Sequence, residues 1–169
     1  PTYRSNGNTV PLPEIIEVTT PVVPSCVAPD TYIAFWNFDV SNNANDASGN
    51  NNNPITTTGA LSFDTVDFKE GDQSAIFDGT TKVQYSQNPG PFLISATSQR
   101  SIGMWVKPSS LSGIQNLFEE GGGSNGIVIR LNGTNVESLV KSLNVSTNQL
   151  VTAFPNDGDW HHIALVYNG

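Results

Sequence analysis

Hydrophobic positions along this chain recur at every second residue in short runs, and the runs are separated by Gly, Asn, Asp and Pro. A period of two is the spacing of a pleated strand, whose side chains alternate between opposite faces. From Thr31 to Phe38, the set Tyr32, Ala34, Trp36 and Phe38 alternates with Ile33, Phe35 and Asn37. Both sets are largely apolar, which predicts a first strand covered on both faces or nearly so. Further strands are predicted at 59–64, 74–78, 81–86, 101–107, 114–119, 126–132, 135–141, 149–154 and 160–167. No segment keeps a helical period of about 3.6 residues over successive capped turns, and no internal repeat is present. Short strands at intervals of roughly 8–12 residues predict an all-β sandwich or jelly roll.

Two stretches depart from this pattern. Residues 1–30 hold six of the eleven prolines, with β-branched residues between them. Proline fixes φ and removes a backbone donor, so the stretch is expected to be an extended linker or stalk rather than a helix. Within it Glu14-Ile15-Ile16-Glu17-Val18-Thr19-Thr20 is free of proline and β-prone, and could add to a sheet edge of this molecule or a neighbour. The second stretch, 40–53, is a polar loop rich in Asn. The expected organisation is therefore a Pro-rich linker over 1–30 and a sandwich domain over 31–169.

Composition narrows the classes of partner. Charged residues make up 13 % of the 169, about half the roughly 25 % of an average globular domain. Asn, Thr, Ser and Gly fill the gap, a surface chemistry common outside the cell. The net charge of −8, with only seven scattered Lys and Arg, argues against nucleic acid, whose phosphates need clustered cations. No apolar run approaches the roughly 20 residues that span a bilayer, so membrane insertion is not expected. The chain has no charged-then-apolar leader, and its start at Pro1 reads as a processed chain or a piece of a longer one. Cys26 stands alone and cannot form an internal disulfide; it is either a plain thiol in the linker or an attachment point to something else.

Several segments, taken in order, carry a family resemblance. Asp46-Ala47-Ser48-Gly49-Asn50 follows the aromatic run ending Phe38-Asp39 and precedes Ala75-Ile76-Phe77-Asp78-Gly79. Met104-Trp105-Val106-Lys107-Pro108, Leu117-Phe118-Glu119-Glu120-Gly121-Gly122 and Trp160-His161-His162-Ile163-Ala164-Leu165-Val166-Tyr167-Asn168-Gly169 come next. Together, from Thr31 to Gly169, these resemble the laminin-G-like jelly rolls of the concanavalin A-like lectin/glucanase superfamily. The resemblance implies two packed antiparallel sheets. It also implies a Val-Asp-Gly turn and a last strand after the Trp-His-His segment, roughly 30–50 residues that this sequence does not contain. An unobserved remainder, an excised fragment or completion by another chain at an open sheet edge would each account for that difference.

The chemical candidates follow. The 39–50 loop offers Asp39, Asn42, Asn43, Asn45, Asp46, Ser48 and Asn50, hard oxygen ligands of the kind Ca²⁺ takes in shells of 6–8. It is no EF-hand, because Ala44 stands where Gly is needed and no Glu occupies the twelfth position. The resemblance implies a structural calcium held by Asp39, Asp46 and the backbone near Asn50; the alternative is a loop of Asx turns. Glu119 and Glu120 are adjacent on a strand and point to opposite faces, so they cannot flank one glycosidic bond. The Glu-x-Asp-x-x-Glu pattern of the related glucanases is absent. His161 and His162 likewise diverge, and one imidazole is expected to pack on Trp160, hydrogen-bonded in the core. Trp36 and Trp105 read as core residues. Tyr85, Phe92, Asn116, Arg130 and Asn132 could serve a sugar site, although no spacing rule selects them. Asn132-Gly133-Thr134 and Asn144-Val145-Ser146 are glycosylation sequons.

These readings converge on a non-catalytic binding or adhesion module of a larger secreted or cell-surface protein, of the modular bacterial type, recognising glycan or an extracellular protein. Two alternatives stay open. One is a structural subunit or secretion passenger completed by strand pairing with another chain or an assembly apparatus. The other is an accessory carbohydrate-binding domain beside a polysaccharide-degrading enzyme.

Overall fold

The computed structural model describes residues 2–5, 8–11, 32–85, 99–121, 124–142, 145–146 and 149–168. Thirteen strands lie among them: β1 (Thr2–Ser5), β2 (Asn8–Pro11), β3 (Thr56–Thr58), β4 (Ser62–Asp64), β5 (Ser74–Ile76), β6 (Lys82–Gln84), β7 (Gln99–Val106), β8 (Ile114–Gly121), β9 (Gly126–Asn132), β10 (Asn135–Ser142), β11 (Val145–Ser146), β12 (Leu150–Ala153) and β13 (His161–Asn168). Every pairing is antiparallel.

The alternation of the sequence has its clearest structural expression in β9. Ile127, Ile129 and Leu131 point inward and are buried, while Val128, Arg130 and Asn132 point outward. β9 lies between β8 and β10, and the far edge of β10 carries β11 and β12. Gly133 turns β9 into β10 through a two-residue loop; its φ of +57° at the first central position is one that glycine adopts without strain. A bulge between Asn116 and Phe118 shifts the β8–β9 register by one residue. It leaves both Leu117 and Phe118 packed against the core.

The second layer is a ribbon of β7 and β13, paired from Gln99↔Asn168 to Val106↔His161. Its inward residues Ile102, Met104, Val106, Ile163, Leu165 and Tyr167 pack on Ile127, Ile129, Leu131, Val136, Val140 and Phe154 of the five-stranded sheet and its outgoing loop. Ile129 and Leu131 are fully buried, and each such aliphatic contributes about 1.5–3 kcal/mol by leaving water. The chain is therefore an all-β fold of two packed layers built from antiparallel sheets.

Residues 32–85 are organised differently. β3 pairs with β6 and β4 with β5, one small hairpin nested inside the other. Aromatic pairs hold this part together: Trp36 on Tyr85 at 4.1 Å between ring centroids, and Phe38 edge-on to Phe77 at 6.2 Å. The strand expected over 31–38 does not form among the described residues. Side chains of the polar loop, rather than a neighbouring strand, take up backbone groups of Tyr32, Ile33 and Phe35, and Phe38 turns the chain with a left-handed φ of 59°. Tyr32 and Ile33 are exposed as a result, at 47 % and 57 %. Thr56–Thr58 was not foreseen as a strand because its three threonines carry no apolar alternation.

In the N-terminal segment β1 and β2 form a hairpin. Glu14–Thr20 and Cys26 lie outside the described residues.

Candidate functional site

The residues singled out for calcium come together in one loop, but in unequal ways. Asp46 Oδ1 accepts the backbone N–H groups of Phe35 and Ser48, both at 2.9 Å. Its Oδ2 accepts the Ser48 hydroxyl at 2.8 Å and the Asn52 N–H at 2.9 Å. Burial pushes this carboxyl up, but the donors of Phe35, Ser48 and Asn52 outweigh it and hold Asp46 below the ordinary aspartate value. A carboxylate offers about four lone-pair sites, and here four donors occupy them. Asn50 donates its amide to the carbonyls of Tyr32 and Ile33, at 2.9 and 3.1 Å. Asp39 sits at the other end of the loop, where it accepts the Asn37 amide at 2.7 Å and the Asp72 N–H at 3.2 Å. Gly71 has φ +74°, and a Cβ there would overlap the Asp39 carboxylate, so only glycine lets the two segments approach so closely. Among the described residues no group of three or more His, Cys, Asp or Glu gathers as a metal set. The fit to calcium is thus uneven: Asp39 keeps acceptor capacity, whereas Asp46 is committed to the chain's own donors.

Glu119 and Glu120 diverge as alternation requires, Glu119 exposed and Glu120 half-buried. Arg100 donates to both oxygens of Glu120, at 2.8 and 3.0 Å. Burial raises the Glu120 pKa, and the guanidinium draws it partly back. His161 and His162 also diverge. His161 bonds to Asp157 at 2.8 Å and meets Phe154 edge-on at 5.2 Å, rather than packing on Trp160. Phe154 is the buried aromatic on the inward face at that point, and Trp160 is drawn to Asp67 instead.

Of the residues considered for sugar binding, the four that are described do not all share a surface. Arg130 and Asn132 lie on the outward face of β9, where both donate to Glu137 at 2.8 and 3.0 Å. Asn116 stands opposite Arg130 across the β8–β9 ladder. Tyr85 is elsewhere, packed at a tilt against Trp36, with its hydroxyl enclosed and its pKa pushed up by burial and by the Asp46 charge. Phe92 and Asn144 of the second sequon lie outside the described residues.

The sequence pattern reads Trp105 as core, and the structure places it instead on a further surface. Strand alternation places Ile102, Met104 and Val106 inward, so Trp105 projects outward and is 37 % exposed. The 64–73 loop reaches it from the N-terminal part of the chain. Trp105 Nε1 donates to Glu70 at 3.1 Å, and the Lys69 ammonium lies 5.0 Å from its ring centroid. Across the ladder the His162 ring meets the indole edge-on at 5.1 Å. Asp67 anchors the same loop, accepting Trp160 Nε1 at 2.8 Å and Lys107 Nζ at 2.6 Å. Those two bonds hold the Asp67 carboxyl below its ordinary value. Nearby, Pro108, Leu111, Phe154, Pro155 and Asp159 line a cleft of about 100 Å³. The signal that could have exposed Trp105 was its phase: it alternates against three apolar neighbours that already fill the inward face.

A Laminin G family profile, described as the concanavalin A-like lectin/glucanases superfamily, matches residues 77–169, more than half of the chain. The chain belongs to this superfamily. The resemblance read from the Met104–Pro108, Leu117–Gly122 and Trp160–Gly169 segments therefore holds, and with it the all-β jelly-roll class. The superfamily is named for both lectins and glucanases, so membership alone fits a binding module without naming its ligand. No curated protein and no solved structure matches the chain. No helix among the described residues is long and apolar enough to cross a membrane.

Proposed function

We propose that this concanavalin A-like domain is a non-catalytic binding module of a secreted or surface-attached protein, recognising glycan or protein. The observation that carries the reading is the fate of its acidic pair. Hydrolysis of a glycosidic bond uses two carboxylates on either side of it, about 5 Å apart in retaining enzymes and about 6.5–9.5 Å in inverting ones. Glu119 and Glu120 point to opposite faces, and Arg100 closes off Glu120. Among the groups the sheets turn outward are the Arg130 guanidinium, the Asn132 amide and the exposed Trp105. The weakly charged, amide-rich surface supports an extracellular setting. Incubation of the full chain with neutral polysaccharides and with extracellular matrix protein should give retention without release of reducing ends. Release of reducing ends that Glu120→Gln abolishes would overturn the reading.

One observation favours the second reading, a subunit completed by a partner. Among the described residues β13 pairs with no strand but β7, and β7 with none but β13. The outer edge of the eight-residue β13 is of the kind that accepts an added strand. Calcium in the 39–50 loop is a further part of the proposal, resting on Asp39 more than on Asp46.

A further inference from the structure

We propose that the outward face of the β7–β13 ribbon, with Trp105 at one end, is a subsite for a segment of neutral glycan. The inference rests on the binding-module reading above and names the ligand class and the site.

The ladder register defines the surface. Trp105 stands opposite His162, Gly103 opposite Ala164, and Ser101 opposite Val166, and all six are exposed. One end is therefore a large flat indole, followed by a floor of small side chains that ends at Val166, itself 70 % exposed. Four steps along the strand separate Trp105 from Ser101, roughly 14 Å at about 3.4 Å each, room for a short oligosaccharide rather than one sugar ring. Gly103 has a specific part in this shape. A Cβ at that position would lie 3.2 Å from Nε2 and 3.3 Å from Cε1 of His162. Its absence lets the imidazole settle against the ladder and brace the indole edge.

The chemistry around the indole selects the occupant. Lys69 sets its ammonium over the ring, from which a stacking sugar would displace it onto its own hydroxyls, Glu70 accepts the indole N–H, and His162 adds a nitrogen donor or acceptor. A sugar ring pairs an apolar C–H face with a belt of hydroxyls, so it can stack on the indole while satisfying those polar neighbours. A purely apolar side chain of a protein partner would desolvate Lys69 and Glu70 without replacing their water. An acidic polymer would meet a chain of net charge −8. Loop 64–73 is held over this end by Asp67, so the rim is in place before any ligand arrives.

Affinity electrophoresis of the full chain through gels containing a β-glucan, a mannan or a xylan tests this. Retardation by at least one of these is expected, with polygalacturonate leaving mobility unchanged. Trp105→Ala should abolish the retardation with an unchanged far-ultraviolet circular dichroism spectrum. Trp105→Phe should retain part of it, and Gly103→Val should weaken binding at least tenfold. Asn116→Ala, on the opposite sheet, should bind as the parent does. If Trp105→Ala binds normally while Asn116→Ala does not, this subsite is wrong although the module still binds glycan. Retardation by the acidic polymer alone, or by none of the four, overturns the neutral-glycan assignment; capture of a matrix protein in the latter case would leave the broader binding reading standing.

Discussion

Asp46 shows how one side chain can stand in for a missing strand. Its four accepted hydrogen bonds tie Phe35 to the Ser48–Asn52 turn, and hydrogen bonds to charged groups are individually worth about 1.5–3 kcal/mol. Because several donors lose one acceptor together, Asp46→Ala is expected to lower urea-unfolding stability by about 2–3 kcal/mol. The pH dependence has a definite sign. The folded-state pKa of Asp46 lies below its ordinary 3.8, so the carboxylate's contribution is complete above that value and is lost as pH falls through the lowered one. Parent and alanine variant should therefore converge in stability as acid titrates the group; a gap that stays constant down to pH 2 would rule out this hub. The same pair tests calcium. An ion held through Asp46 would raise the melting temperature of the parent and leave Asp46→Ala unmoved, whereas no rise in either removes Asp46 as a ligand.

At the scale of elements, β9 is where sequence and structure agree most closely, and the reason is physical. Ile127, Ile129 and Leu131 alternate with Val128, Arg130 and Asn132, and a strand flanked on both sides cannot slip register without exposing all three aliphatics. Ile129→Ala should cost about 3–4 kcal/mol in denaturant unfolding, because the site is fully enclosed and cannot readily collapse. A cost below 1 kcal/mol would mean the two layers are not packed as described. The 31–38 run was legible as apolar but not as irregular, since the Asp46, Asn50 and Asn52 contacts that replace its ladder come from a polar loop with no period. Trp105 was misread for a related reason: an aromatic residue within an apolar strand looks like core until the phase of its neighbours is counted. The Arg130–Asn132–Glu137 cluster was half visible, because Glu137 becomes a partner only through the β9–β10 register.

The molecule as a whole has two differently built parts. The aliphatic core lies between the five-stranded sheet and the β7–β13 ribbon, and no described residue of 32–85 contributes to it. That earlier part rests on aromatic pairs and side-chain-to-backbone bonds, with Asp67 and Glu70 linking it to Trp160, Lys107 and Trp105. Unfolding should accordingly proceed in two steps, near-ultraviolet signals of the Trp36–Tyr85 pair changing before the far-ultraviolet β-sheet signal; superimposable curves would show a single cooperative unit. The bridging of Trp105 by Lys69 and Glu70 has its own consequence. Residues more than thirty positions apart meet to make one surface, so neither portion holds the recognition patch alone. Competence to bind would then arise only at docking of the two portions, and a nascent or nicked chain would be silent toward its target until that moment.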